Sequence, residues 1–202
     1  MEDIQERWSK LRLLESEASV LNLDEEGSTV TKEKGDRSLV GKVFSDRMVS
    51  KEVLASTMAK VWWISKRADF HECGSNTFIV TFATIADKLK VLSGKPWLFD
   101  NNLFALKLFD GFNQPSTIKF DSEEFWVQLH NLPFAYMDRV HGEKTGQTLG
   151  RVIEVDLPDD GIGWGEFLRI KVELKLFQAL DRGRMLSVGG LVTPVQFMTF
   201  TA

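Results

Sequence analysis

Along the first 27 residues, Ile4, Trp8, Leu11 and Leu14 recur at steps of three and four with charges between them, the stripe of an amphipathic helix. The run Asp24-Glu25-Glu26-Gly27-Ser28 breaks it, so residues 1–35 read as a helix followed by an acidic linker. Such an arm is either loosely held in solvent or a helix for a partner.

From Leu39 the pattern alternates between periods of two and of three to four. Residues 39–44 predict a short strand. Ser50 is a good N-cap for a helix with Val53, Leu54, Thr57, Met58, Val61 and Trp62 on one side. Residues 66–71 suit a strand. Residues 76–82 do so more clearly, with Phe78, Val80 and Phe82 on one face and Thr77, Ile79 and Thr81 on the other. Thr84 and Asp87 open a second helix through Ile85, Leu89 and Leu92, which Gly94 and Pro96 stop. Residues 97–109 form a hairpin or bent strand that turns at Asp100-Asn101-Asn102. The order β-α-β-β-α-β over residues 36–110 is the ferredoxin-like arrangement, shared with RNA-recognition motifs.

After a connector at 111–122, residues 111–202 predict a second, smaller α+β unit with antiparallel strands. Phe125, Val127 and Leu129 alternate with Trp126, Gln128 and His130. Residues 136–149 look helical despite Gly142 and Gly146, and 151–156 form a strand. A glycine-rich turn at 158–165 leads to the clearest strand, 167–175, and residues 185–188 and 195–200 suit a hairpin across Gly189-Gly190. The second unit therefore also begins β-α-β-β, as an imperfect repeat of the first would.

Composition narrows the function classes. No apolar stretch of the 202 residues approaches the roughly 20 needed to span a bilayer, and from the acidic start, which lacks an apolar h-region, no secretory signal is expected. The single cysteine, Cys73, excludes an internal disulfide, and His71, His130 and His141 lack metal-ligand spacing. An intracellular protein of nucleus or cytoplasm is expected, with no membrane partner, small-molecule substrate, cofactor or metal. The net charge of −4 is unevenly spread: residues 1–38 hold ten acidic against six basic groups, 39–110 ten basic against seven acidic, and 111–202 twelve acidic against nine basic. The middle of the chain is thus the part suited to phosphate.

Catalytic signals are weak. Gly142-Glu143-Lys144-Thr145-Gly146 lacks the glycine before lysine that a phosphate-binding loop needs, Asp159-Asp160-Gly161 reads as turn chemistry, and no nucleophile elbow occurs. A non-enzymatic protein is expected. Lys42, Arg47, Lys51, Lys60, Lys66 and Arg67 cluster around the first strand and helix as candidate phosphate contacts for RNA or single-stranded DNA. Trp62, Trp97 and Trp126 suit core or inter-unit packing, while Trp63 and Trp164 are placed for exposure. Trp164, in Gly161-Ile162-Gly163-Trp164-Gly165, is the candidate partner contact.

Several blocks resemble one plant family in order. They are Leu39-Val40-Gly41-Lys42-Val43, Trp62, Asn76 to Phe82, Gly94-Lys95-Pro96-Trp97-Leu98-Phe99, Phe125 to Pro133, Gly146 to Asp156, Arg169 to Glu173 and Arg182 to Leu186. Over roughly residues 36–190 the chain is similar to the DUF 4283 family, so that the two units together would form one domain of that type. The resemblance implies a plant protein of unknown function, related to the first open reading frame of LINE-type retrotransposons. Such proteins generally add a zinc knuckle that binds nucleic acid. This sequence has no Cys-x-x-Cys after Gly189-Gly190. If the first unit is like an RNA-recognition motif, Thr77 and Ile79 occupy the places of its stacking aromatics, and neither can stack. The expectation is weak, sequence-independent association with RNA through backbone charge. The alternative is a protein-interaction module that forms a homo-oligomer without nucleic acid.

Overall fold

A computed structural model describes residues 28–200. The amphipathic helix expected in residues 1–27 lies outside them. Among the described residues are four α-helices and ten strands, the strands arranged as two five-stranded antiparallel sheets. No helix there is long and apolar enough to cross a membrane.

The first unit begins with helix α1 (Ser28–Asp36) and strand β1 (Ser38–Val43), followed by α2 (Lys51–Val61), β2 (Asp69–Gly74), β3 (Thr77–Thr81), α3 (Ile85–Ser93), β4 (Trp97–Phe99) and β5 (Asn102–Leu108). Its strands lie in the order β2-β3-β1-β5-β4. Ser50 caps α2 by accepting from the Val53 N–H, and Thr84 caps α3 by accepting from Asp87 N–H at 3.1 Å. Asp100 and Asn101 both take positive φ, 49° and 59°, the signature of the tight turn that joins β4 to β5.

Phe78, Val80 and Phe82 face the helices, as their alternation predicts. At the centre of this core is the fully buried Trp62. Its ring stacks on Phe70 and Phe104 at 5.8 and 6.2 Å and meets Phe82 and Trp97 at 5.6 and 6.2 Å. Among the described residues its buried Nε1–H has no hydrogen-bond partner.

Three local expectations need correction. Residues 28–35, read as linker, are helical in α1. Gly35 is its one buried residue among 30–36, pressed so close to Asp110 and Gly111 that a Cβ would sit 2.6 Å from the Asp110 carbonyl. Contact made by backbone leaves no apolar stripe to read. The strand expected at 66–71 is displaced to Asp69–Gly74, a polar edge strand with His71 and Glu72 exposed. The two helices are also rotated from the faces assigned to them: Val53, Val61, Ile85 and Leu89 are exposed, whereas Leu54, Ala55, Met58 and Val91 are buried. Polar anchors set the rotation of α3. The Asp87 carboxylate accepts from the Ser65 N–H and hydroxyl, which hold it below the usual carboxylate range, and Lys88 Nζ donates to the Asp36 carbonyl at 2.5 Å.

The second unit comprises β6 (Ser122–His130), α4 (Arg139–Gly146), β7 (Arg151–Asp156), β8 (Phe167–Lys175), β9 (Gly183–Val188) and β10 (Leu191–Phe200), with order β7-β8-β6-β10-β9. Strand for strand this is the order of the first sheet. In both, a bulge interrupts the pairing of the edge strand, at Glu72/Gly74 in β2 and Val152/Glu154 in β7. The repeat is imperfect because no helix stands between β8 and β9 where α3 stands in the first unit. With five strands, the second sheet matches the first rather than being a smaller one. Helix α4 lies close on its sheet because Gly142 and Gly146 face it. A Cβ at 142 would sit 2.8 Å from Leu168 Cδ2, and one at 146 would sit 2.7 Å from Ile170 Cδ1 and Val152 Cγ2.

The units are joined by charge where β6 starts. Glu123, 1% exposed, accepts from the Leu106 N–H at 2.9 Å, on the edge of β5 just beyond the end of β4. Lys95 bridges Glu123 at 2.8 Å and Glu124 at 3.2 Å. Lys171 bridges Glu124 at 3.2 Å and donates to the Ser93 carbonyl at 2.9 Å. Burial raises the Glu124 pKa, but Lys95 and Lys171 outweigh it and hold this carboxyl below its ordinary value.

Trp62→Ala should cost about 3–5 kcal/mol in chemical denaturation. Trp62→Phe should cost less than about 1.5 kcal/mol, because it also removes an unsatisfied buried donor. Lys95→Met, which leaves Glu123 buried without its cation, should cost about 3–5 kcal/mol, and adding Glu123→Gln should recover part of the loss. Since the folded Glu124 pKa is depressed, its stabilisation is present above its unfolded value of about 4.3 and fades as pH falls through the folded one. Acid titration of Glu124→Gln should accordingly start from a lower stability at neutral pH and fall less steeply on acidification.

Candidate nucleic-acid interface

The six cations singled out in the sequence do not share one surface. Lys42 lies on the sheet face away from the helices, its Nζ 5.6 Å from the Phe44 ring centroid. Arg47 is exposed in the loop after β1. Lys51 and Arg67 line one shallow groove between α2 and β2, together with Glu52 and Asp69, so the charge there is balanced. Lys60, in the last turn of α2, and Lys66, in the loop after it, are exposed.

The face of the first sheet turned away from its helices is partly covered. Phe120 packs on Val40 and Ala105, with Phe44, Leu103, Phe109 and Ile118 around them. These residues make the connector a second layer over the sheet, and its single 3-10 turn at Pro115–Thr117 approaches β2. Thr77, Ile79 and Thr81 share that face and supply no aromatic ring.

On the second sheet the corresponding face is different. Direct pairing of β6 with β8 aligns His130 with Phe167, Gln128 with Arg169 and Trp126 with Lys171. Between these rows Val127, Leu129, Leu168 and Ile170 point the other way into the core. The Arg169 guanidinium lies over the Trp126 ring at 4.1 Å and also bonds Asp156 at 3.1 Å. His130 and Phe167 are in ring contact at 5.1 Å, and His130 Nε2 is 3.0 Å from Gln128 Oε1. Neighbouring β10 adds Gln196 beside His130 and Met198 beside Gln128. At the Lys171 end this face closes against Ser93 of the first unit; from Trp126 to Phe167 its residues are half-buried or exposed.

Individually, these side chains were visible in the sequence. What joins them is the adjacency of β6 and β8, and the detectable signal was polar and aromatic alternation in these two nine-residue strands. Trp126, assigned to packing, does contact the inter-unit Lys171, whose Nζ is 5.6 Å from its ring, yet it also forms part of this face.

Trp164 is 68% exposed and meets Phe134 edge to face at 4.8 Å. Its loop is pinned by Gly163 N–H donating to the Met137 carbonyl at 2.6 Å and by a bridge between Asp138 and Ile162. Asp160 Oδ1 accepts from Ile162 N–H at 3.1 Å, the turn role expected of it. The Cys73 thiol is pushed up by burial and lies 3.5 Å from the Thr77 carbonyl. Among the described residues, no group of three His, Cys, Asp or Glu side chains is placed to hold a metal.

Comparison with known proteins bears on the first unit alone. No curated protein matches the chain. One family model, described as a domain of unknown function, matches residues 31–115, which run from α1 through the first sheet into the connector. Of the span over which the sequence resembles that family, the second unit lies outside the match. Residues 31–115 of this chain are a DUF4283 domain.

Proposed function

We propose that the chain is a non-enzymatic binder of single-stranded nucleic acid, RNA in the first instance, of the kind associated with LINE-type retroelements of plants. The observation that carries this reading is the row of Trp126, Gln128 and His130 on β6 beside Lys171, Arg169 and Phe167 on β8. Single strands are held by stacking their bases on aromatic rings or guanidinium planes, with cations alongside for the phosphates. The Arg169 guanidinium already lies over the Trp126 ring, and its side chain is 45% exposed, so it is open to a base from solvent.

The strand orders β2-β3-β1-β5 and β7-β8-β6-β10 support an RNA-recognition-motif-like reading of both units. In that arrangement the two central strands carry the bases, and here those strands are β1 and β3 or β6 and β8. The first pair offers Thr77 and Ile79, which carry no ring, whereas the second offers the Trp126, His130 and Phe167 rings and the Arg169 guanidinium. The site therefore shifts to the second unit, with Lys60, Lys66 and Arg67 of the first as outlying phosphate contacts. The alternative, a protein-interaction module, draws on the exposed Phe134–Trp164 pair.

Fluorescence anisotropy with single-stranded RNA and DNA oligonucleotides at two salt concentrations tests the reading. Arg169→Ala should weaken binding about tenfold by removing one stacking plane. A variant with Lys60, Lys66 and Arg67 as alanine should instead lower the salt slope by up to about 2. Absence of binding at low salt, or binding indifferent to both variants, sinks the proposal and leaves the interaction module.

A further inference from the structure

Two sheets present four edge strands, and three of them are protected. β2 carries Asp69, His71 and Glu72 and is bulged; β7 carries Arg151, Glu154 and Asp156 and is bulged; β4 has only three residues. Charge, bulges and shortness are the usual guards of a sheet edge. Strand β9 has none of these beyond Arg184. It is six residues long, Gly183-Arg184-Met185-Leu186-Ser187-Val188, and pairs regularly with β10 through all six.

The direction of its free backbone groups follows from the register. The Arg182 carbonyl accepts from Phe197 N–H at 2.9 Å, so even-numbered residues of this strand direct their backbone groups toward β10. Gly183, Met185 and Ser187 consequently turn their N–H and C=O outward, and among the described residues nothing pairs with them. Apolar side chains flank this edge: Met185 is 61% exposed, and Leu191, Val192 and Met198 on β10 are each more than half exposed.

We infer that β9 pairs antiparallel with β9 of a second copy of this chain, about a two-fold axis at Met185, to give a continuous ten-stranded sheet. The strand is complementary to itself in this register. Gly183 faces Ser187 of the second copy and Met185 faces its own counterpart, which satisfies every outward donor and acceptor of the three residues. Arg184, the only charge on the strand, falls opposite Leu186 rather than against another arginine, and its guanidinium is already paired with Asp181 at 3.0 Å. A closed, isologous two-fold pairing uses each β9 edge once and leaves only the charged, bulged β7 edges at the ends of the joined sheet. The inference stands apart from nucleic-acid binding and is tested without it.

Sedimentation velocity on the full chain, freed of nucleic acid, should show a monomer–dimer equilibrium across about a hundredfold range of concentration. Met185→Glu, at an exposed position, should leave the circular dichroism unchanged and weaken the dimer at least about tenfold by setting two carboxylates face to face. In a Cys73→Ser background, Met185→Cys should oxidise to a cross-linked dimer. Residues of such a hydrogen-bonded pair lie about 5.5 Å apart, within disulfide reach. Arg184→Cys in the same background should not cross-link. A monomer at every concentration, a dimer indifferent to Met185→Glu, or cross-linking through 184 instead of 185 overturns the inference.

Discussion

Glu123 bears on nearly everything else in the architecture. Its carboxylate is out of reach of water, and the cost of keeping it there is met by Lys95 on one oxygen and the Leu106 N–H on the other. Because that N–H belongs to the edge of β5, the start of β6 is fixed against the first sheet at one point and one orientation. Lys171 and Glu124 extend the same arrangement to the end of α3. The cluster thus closes one end of the outer face of the second sheet and leaves the other end accessible.

Two copies of one strand order have been put to different uses. In the first, two helices cover one face and the connector lies on the other, so the sheet is largely a structural body. In the second, one helix packs tightly through Gly142 and Gly146, the other face keeps its rings and the Arg169 guanidinium accessible, and among the described residues one edge keeps its hydrogen-bonding groups unpaired. Divergence here concerns what covers a sheet, while the order of its strands is retained. The first unit looked the better place for a binding surface because its net charge is positive. Its cations, however, are dispersed over different faces and bring no aromatic ring with them on the open part of the sheet.

Much of this was legible in the chain. Strands β6 and β8 announce themselves because each turns one apolar face to the core, wholly buried in β8 and nearly so in β6, which forces strict alternation, and Asp100-Asn101 marks its turn because only a few residue types accept positive φ. The caps at Ser50 and Thr84 were readable for the same local reason. Helix α1 was not, since Gly35 makes its contact through backbone. The rotation of α3 was hidden because Asp87 and Lys88, polar residues, are the ones buried, through partners far away in sequence. The outer face of the second sheet needed the pairing of β6 with β8, a long-range fact that no window of sequence contains.

The connector has a consequence for where this protein can be divided. The family match ends at Pro115, yet Ile118 and Phe120, which cover Val40 and Ala105, and Glu123, which caps the β5 edge, all come after it. A fragment cut at the family boundary carries every strand of the first sheet but leaves an apolar face bare, a backbone donor without its acceptor and Lys95 without its carboxylates. The unit that evolution repeats across proteins and the unit that can stand alone in water therefore have different ends. The second extends at least into β6.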